Sequence, residues 1–160
     1  MDQQESNNLY ISFEKQIKDY ELIIIPVKQI NEETREQKTF NFLIDSGASV
    51  SMIDKKELQK MQYAPIKGST TAYGIDGQVH DTDAVITCFK LGDYYKCQRF
   101  QVFDISSAFQ RVERELNIHL SGIFGTDFLI ANKIILDYEK LKLYYNSKDD
   151  LSGDSPEDTV

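Results

Sequence analysis

Residues 41–49 read Asn41-Phe42-Leu43-Ile44-Asp45-Ser46-Gly47-Ala48-Ser49, an apolar strand that ends on a carboxylate and then turns. An acid at the tip of a buried strand has to be solvated, and a tight turn through Gly47 lets backbone amides approach it. By itself Asp-Ser-Gly is an ordinary strand-ending turn, so its meaning depends on what surrounds it. Upstream, residues 20–30 are rich in β-branched side chains, break at Asn31-Glu32-Glu33 and resume at 38–44, which reads as a hairpin. Downstream, residues 50–53 form a further short strand. Asp54-Lys55-Lys56-Glu57 then opens a helix, with Asp54 expected to accept from orphan amides and Glu57 to reach back. Leu58 and Met61 share one face of it.

Further along, residues 70–73 and 78–90 alternate as strands around Gly74-Ile75-Asp76-Gly77, a turn whose glycines can take positive φ. A second hairpin follows. If Gly92-Asp93 is a two-residue loop, Leu91 faces Tyr94 and Cys88 faces Cys97. Ser106 or Ser107 is expected to cap a helix that carries Phe109, Val112 and Leu116 in one stripe. Ile123-Phe124-Gly125 is an apolar strand ending at glycine, 127–131 is one helical turn, and 134–138 with 141–145 make a closing hairpin. At least eight strands and two or three short helices, without a βαβ period, give a mostly β chain with a closed or folded-over sheet.

Four of these segments, in this order, resemble the retropepsin-like aspartic protease family, in its bacterial and cellular forms above all. The matching residues are Leu43-Ile44-Asp45-Ser46-Gly47-Ala48-Ser49, then Tyr73-Gly74-Ile75-Asp76-Gly77, then Gly122-Ile123-Phe124-Gly125-Thr126-Asp127-Phe128-Leu129, and finally Ile135-Leu136-Asp137-Tyr138 with Leu141-Lys142-Leu143. Four ordered motifs are far more specific than any one of them. The resemblance spans roughly residues 20–146 and implies a β-barrel with a flap hairpin over residues 71–79. It implies Asp45, Ser46 and Gly47 as the catalytic triplet. Ala48, Ser49, Tyr73, Gly74, Ile75, Asp76, Gly77, Phe124 and Gly125 are implied to face substrate, and no cofactor or metal is implied.

Such a protease needs two carboxylates that share a proton, one acting as base toward water and the other as acid toward the scissile carbonyl. This chain offers one Asp in that context, because Gly125 stands where a second acid is needed and Asp127, in the following helix, reads as structural. The second Asp45 is therefore expected from another copy across a two-fold axis, with Ser46 bonding across that axis. Viral relatives often carry an acid at the position of Ser49 and an Arg at that of Thr126. Here the two residues can make no more than a neutral hydrogen bond.

Length and charge agree with one domain. The chain has 160 residues, too few for two full-sized domains, and 41% hydrophobic with 28% charged residues is the composition of a folded globular protein. A net charge of −8 argues against a nucleic-acid partner, whose phosphates need Lys and Arg. The longest apolar run, residues 22–26, is far too short for a membrane span. No basic start leads into a hydrophobic stretch, so a cytoplasmic protein is expected, with secretion or a periplasmic location open if a leader was removed. Residues 1–19 read as a polar extension and 20–146 as the protease domain. Residues 147–160, with one Lys against five acids, read as a disordered acidic tail. Cys88 and Cys97, facing each other, can form a cross-strand disulfide, but absent a secretory signal reduced, half-buried thiols are the favoured reading, and His80 and His119 are expected as surface or packing residues.

The leading expectation is a peptide-bond hydrolase acting on peptide or protein substrates as a homodimer. The second is a dimer of the same fold that binds peptides with little or no cleavage. A third is an unrelated β-barrel interaction domain in which the Asp45 turn is coincidental.

Overall fold

Alternating apolar residues at Ile23, Ile25 and Val27, opposite Phe40, Phe42 and Ile44, give two strands with one shared buried face. They form β2 (Ile24–Ile30) and β3 (Gln37–Ile44), paired antiparallel from Ile24 opposite Leu43 to Ile30 opposite Gln37. The turn between them is built by Asn31, whose side-chain oxygen accepts from the amides of Glu33 at 2.9 Å and Thr34 at 3.1 Å. The computed structural model describes residues 9–73 and 79–150.

The chain continues through β4 (Met52–Asp54), a single helical turn α2 (Lys55–Leu58), β5 (Ala64–Tyr73), β6 (Val79–Leu91) and β7 (Tyr94–Phe103). After α3 (Ser106–Leu116) and β8 (Gly122–Phe124) come α4 (Thr126–Ala131), β9 (Ile135–Asp137) and β10 (Lys142–Tyr145). The large sheet has the order β2-β3-β8-β4-β7-β6-β5, and Lys28 of β2 pairs again with Lys90 of β6. That second pairing closes six strands into a barrel, with β5 extending outside the closure along β6. The fold is mostly β, as expected. No helix among the described residues is long and apolar enough to cross a membrane.

The core is a column of phenylalanines. Phe124 stacks on Phe128 at 3.9 Å and on Phe42 at 4.5 Å, and Phe42 meets Phe100 at 5.4 Å. Each such pair adds about 0.5–1.5 kcal/mol beyond the area it buries. β8 can enter this crowded place because Gly122 has no side chain. A Cβ there would lie 2.6 Å from the Phe42 ring.

Both ends of the chain differ from expectation. Residues 1–19 are not all an extension, because β1 (Leu9–Ser12) and α1 (Glu14–Tyr20) belong to the domain. β1 pairs with β10, which also pairs with β9, in a second three-stranded sheet. The reason is apolar burial: Phe13 is completely buried in the core, with Leu9, Ile11 and Ile17 packed against it. Likewise the acidic tail does not begin at residue 147, since residues 148–150 lie along β7 and bond to it. The helices number four among the described residues rather than two or three, the additional one being α1.

The β6–β7 register is as expected, with Leu91 opposite Tyr94 and Cys88 opposite Cys97. The expected redox state is corrected, because Cys88 and Cys97 are joined in a disulfide. Their Cα atoms are 4.0 Å apart at directly opposed positions of the strand pair, so the bridge spans neighbours rather than distant segments. Two expected caps are also replaced. Asp54 makes no cap bond to α2 and accepts from the Ile105 amide at 3.2 Å instead. α3 begins at Ser106 without a side-chain cap, because the Ser106 hydroxyl donates to Asp104 at 2.8 Å.

Candidate active site

β8 lies between β3 and β4, parallel to the first and antiparallel to the second. The loop from Asp45 to Ser51 joins β3 to β4, so it must pass over the end of β8. Three backbone hydrogen bonds fix that crossing. The Asp45 amide donates to the Phe124 carbonyl at 3.0 Å, the Ala48 amide to the Asp45 carbonyl at 3.1 Å, and the Thr126 amide to the Ala48 carbonyl at 2.8 Å. The Thr126 hydroxyl adds a fourth tie, donating to the Ser46 carbonyl at 3.1 Å. Gly125 sits directly beneath the loop. A Cβ there would stand 2.7 Å from the Ala48 carbonyl oxygen and 2.8 Å from Val50 backbone atoms, so only glycine allows the crossing.

At the tip of the loop Asp45 is half-buried, and Oδ1 accepts from the Gly47 amide at 2.9 Å. Among the described residues that is the one hydrogen bond its carboxylate receives. Ser46, Gly47 and Ser49 are exposed beside it and Ala48 is half-buried. This is a carboxylate oriented by one backbone donor with acceptor capacity left over. That is what a group needs if it is to hold a water or a proton.

The other end of the loop is anchored on Asp127. Its carboxylate accepts from the Ser51 amide at 3.0 Å, the Ser51 hydroxyl at 2.7 Å, Gln98 Nε2 at 3.1 Å and the Phe128 amide at 2.8 Å. Ser51 Oγ in turn accepts from the Gly125 amide at 3.0 Å. One carboxylate therefore ties together the end of the Asp45 loop, β7 and the first turn of α4. Its structural reading from sequence agrees with this arrangement. Ser51 and Gln98 were not singled out from sequence. They lie far from Asp127 in the chain, and only the crossing of β8 brings the three together.

Two expected substrate-facing residues are corrected. Phe124 is fully buried in the aromatic column, and its backbone carbonyl, not its ring, serves the loop. Gly125 is buried under Ala48 and Val50 and acts by its lack of a side chain. Tyr73 is the last described residue of β5, opposite Val79 of β6, so the arms of the flap hairpin are present. Gly74, Ile75, Asp76 and Gly77 lie outside the described residues, as do the side chains of Tyr73 and His80.

A separate polar cluster underlies α2. Glu57, expected to reach back to its own helix, is 3% exposed and faces Ser121, Lys60 and His119 instead. Ser121 Oγ donates to its Oε2 at 3.1 Å, Lys60 reaches Oε1 at 3.0 Å, and His119 Nε2 makes a short contact with Oε1. Burial pushes the Glu57 carboxyl upward, but the His119 and Lys60 partners outweigh it and hold the group below the usual carboxylate range. His119, expected to be a plain surface or packing residue, also pairs through Nδ1 with Glu113 at 3.2 Å. Nearby Asp54 is shifted the other way, its carboxyl raised chiefly by burial. This cluster stiffens the base of β4 and does not touch Asp45.

The geometry can be compared with known proteins. Among solved structures, the chain is similar to the retroviral protease-like domain of Ddi1 from Leishmania major, at 14% identity and a TM-score of 0.44, over 78% of this chain and 89% of that one. No curated protein matches it. A family model described as aspartyl protease matches residues 29–128, which include the Asp45 loop, the flap arms and Asp127. That match covers more than half of the chain, and the chain belongs to the retropepsin-like aspartyl protease family.

Proposed function

We propose that the chain is an aspartic endopeptidase whose active form is a homodimer. The observation that carries this reading is the Asp45 carboxylate, held at the tip of a loop tied at both ends yet keeping acceptor capacity. One chain supplies one such carboxylate, so the second comes from a second copy. The surface favours such a partner. Ile130, Ile135 and Tyr138 are 72%, 59% and 64% exposed, and β9, which carries Ile135, pairs on one side only among the described residues.

In the dimer the two Asp45 side chains share one proton and hold one water. The unprotonated carboxylate takes a proton from that water as its oxygen attacks the scissile carbonyl carbon. The protonated one gives its proton to the carbonyl oxygen. Collapse of the tetrahedral species breaks the C–N bond: the amine leaves with the proton first taken from water, and one hydroxyl of the gem-diol returns its proton to the other Asp45 as the new carbonyl forms. Ala48 and Ser49 line the peptide beside the dyad, and the β5 and β6 arms of the flap hairpin flank it.

Cleavage of a peptide library by wild type and Asp45→Asn, from about pH 4 to 7, tests this reading. Wild type should cleave with an acid-side preference, and the variant should lose on the order of 10³-fold or more. Cleavage that survives in Asp45→Asn sinks the mechanism. A wild-type dimer that binds the library without cutting it assigns the fold to peptide binding instead.

A further inference from the structure

The outer edge of β7 is occupied in two sections. β4 pairs with Gln101, Val102 and Phe103, and stops there. The section toward the hairpin tip is taken by residues 148–150. The Tyr95 amide donates to Asp149 Oδ1 at 2.8 Å, the Cys97 amide to Asp150 Oδ2 at 2.9 Å, and the Asp150 amide to the Tyr95 carbonyl at 2.9 Å. Two adjacent aspartates thus supply the acceptors that a neighbouring strand would otherwise supply with carbonyls.

Between those two amides lies Lys96, 1% exposed on the inward face of β7 with Gln98 and Phe100. Its ammonium makes a short hydrogen bond to the Lys148 carbonyl and stands 3.9 Å from Asp150 Oδ1. A buried ammonium is costly unless it is paired. Burial draws the Lys96 pKa below its usual value, and Asp150 and Asp149 oppose that pull. The segment just before them reaches the same hairpin at its tip. The Tyr145 ring packs on Tyr94 at 6.3 Å, and its hydroxyl lies where a Cβ on Gly92 would have to go.

From Tyr95 to Cys97 this edge presents two outward amides and one buried cation. All of these are donors, so the complement is a segment rich in negative acceptors. We propose that the β7 edge at Tyr95–Cys97 is a binding site for an Asp-Asp segment, filled in cis by residues 148–150, which makes the start of the acidic tail a detachable clasp on the disulfide-bearing hairpin. The site is independent of the Asp45 chemistry and of whether the chain cleaves peptides. Its role is to close an open strand edge and neutralise Lys96, and an acidic peptide of the same pattern competes for it.

The experiment uses the full chain. In Asp149→Asn/Asp150→Asn, hydrogen exchange at the Tyr95 and Cys97 amides should accelerate about tenfold or more, the factor expected when a charge-assisted hydrogen bond is lost. A synthetic peptide of residues 147–160 should restore protection saturably in that variant, and raised salt should weaken the rescue. Lys96→Met should abolish the peptide effect. Combining it with the two Asn substitutions should lower Tm less than the two separate losses added together, because the uncompensated charge is gone. Should Lys96→Met fail to fold, Lys96→Gln carries the same comparison. Unchanged exchange in the Asn variant, strictly additive losses, or a peptide that protects equally well without Lys96 would each overturn the proposal.

Discussion

Asp45, in the loop after β3, and Asp127, in the first turn of α4 after β8, lie at one end of the barrel, yet their surroundings are opposite. Asp127 receives four hydrogen bonds, from Ser51 twice, Gln98 and Phe128. Asp45 receives one among the described residues, from Gly47. A saturated carboxylate is a fastener, since every lone-pair direction is used and moving a proton onto it breaks something. An unsaturated one at a loop tip retains directions for water, substrate or a second carboxylate. The contrast divides the labour of this end of the barrel: Asp127 holds the loop so that Asp45 need not be held by its own functional atoms.

The largest effect expected from that division is on Asp127. Asp127→Ala strips partners from the Ser51 amide and hydroxyl, the Gln98 amide and the Phe128 amide, several of them removed from solvent. At about 1–3 kcal/mol for each donor left unsatisfied, a loss of about 3–4 kcal/mol follows once some find water. Urea denaturation measures it directly. A loss below about 1 kcal/mol would mean that the loop is anchored elsewhere, by the Thr126 and Phe124 contacts alone.

Glu57 extends the comparison to a saturated carboxylate outside the site, and here pH is the probe. His119 and Lys60 hold its folded pKa below the usual carboxylate range despite burial. For an acid whose folded pKa is depressed, stability is present above the unfolded value, near 4.3, and disappears as pH falls through the folded value. That contribution is present in full at neutral pH. Denaturation midpoints followed from neutral to below the carboxylate range should fall for wild type. Glu57→Gln should start lower and fall less. Parallel curves for the two proteins would remove Glu57 from the set of fastening carboxylates. Asp54, raised by burial, works in the opposite sense and relieves a small cost as pH falls.

How far these roles could be read from sequence depends on how local their causes are. The Asp45 turn, the β6–β7 register and the apolar strand ending at Gly125 are encoded within a few residues each, by glycine, by a two-residue turn and by alternation. They are where the sequence reading holds. Glu57 reads as a helix cap because it lies three positions after Asp54, but its partners Ser121 and His119 come from across the fold. The same holds for Phe124, whose position in a family motif suggested substrate contact while its neighbours Phe42 and Phe128 bury it. At the ends, charge density masked structure. Leu9, Ile11, Phe13 and Ile17 are spaced for burial inside a polar segment, and Asp149 and Asp150 look solvated until Lys96 is placed beneath them. Long-range complementarity, not local pattern, decided each of these.

The smallest expected effect on stability belongs to Asp45 itself, and it is the sharpest test of the contrast. Asp45→Asn keeps a side-chain oxygen for the Gly47 amide and breaks none of the backbone ties to Phe124, Ala48 or Thr126. The isolated chain should therefore stay within about 0.5 kcal/mol of wild type, the range of substitutions that disturb no packing or buried bond. If two Asp45 side chains meet across a two-fold axis, the substitution replaces both of them and removes the single negative charge that the proton-sharing pair holds at the interface. Sedimentation across a concentration series then separates the two states. Any stability gain in Asp45→Asn should track the dimer and vanish in the monomer. A large loss in the monomer would mean that Asp45 is a second fastener, and the distinction from Asp127 would fail.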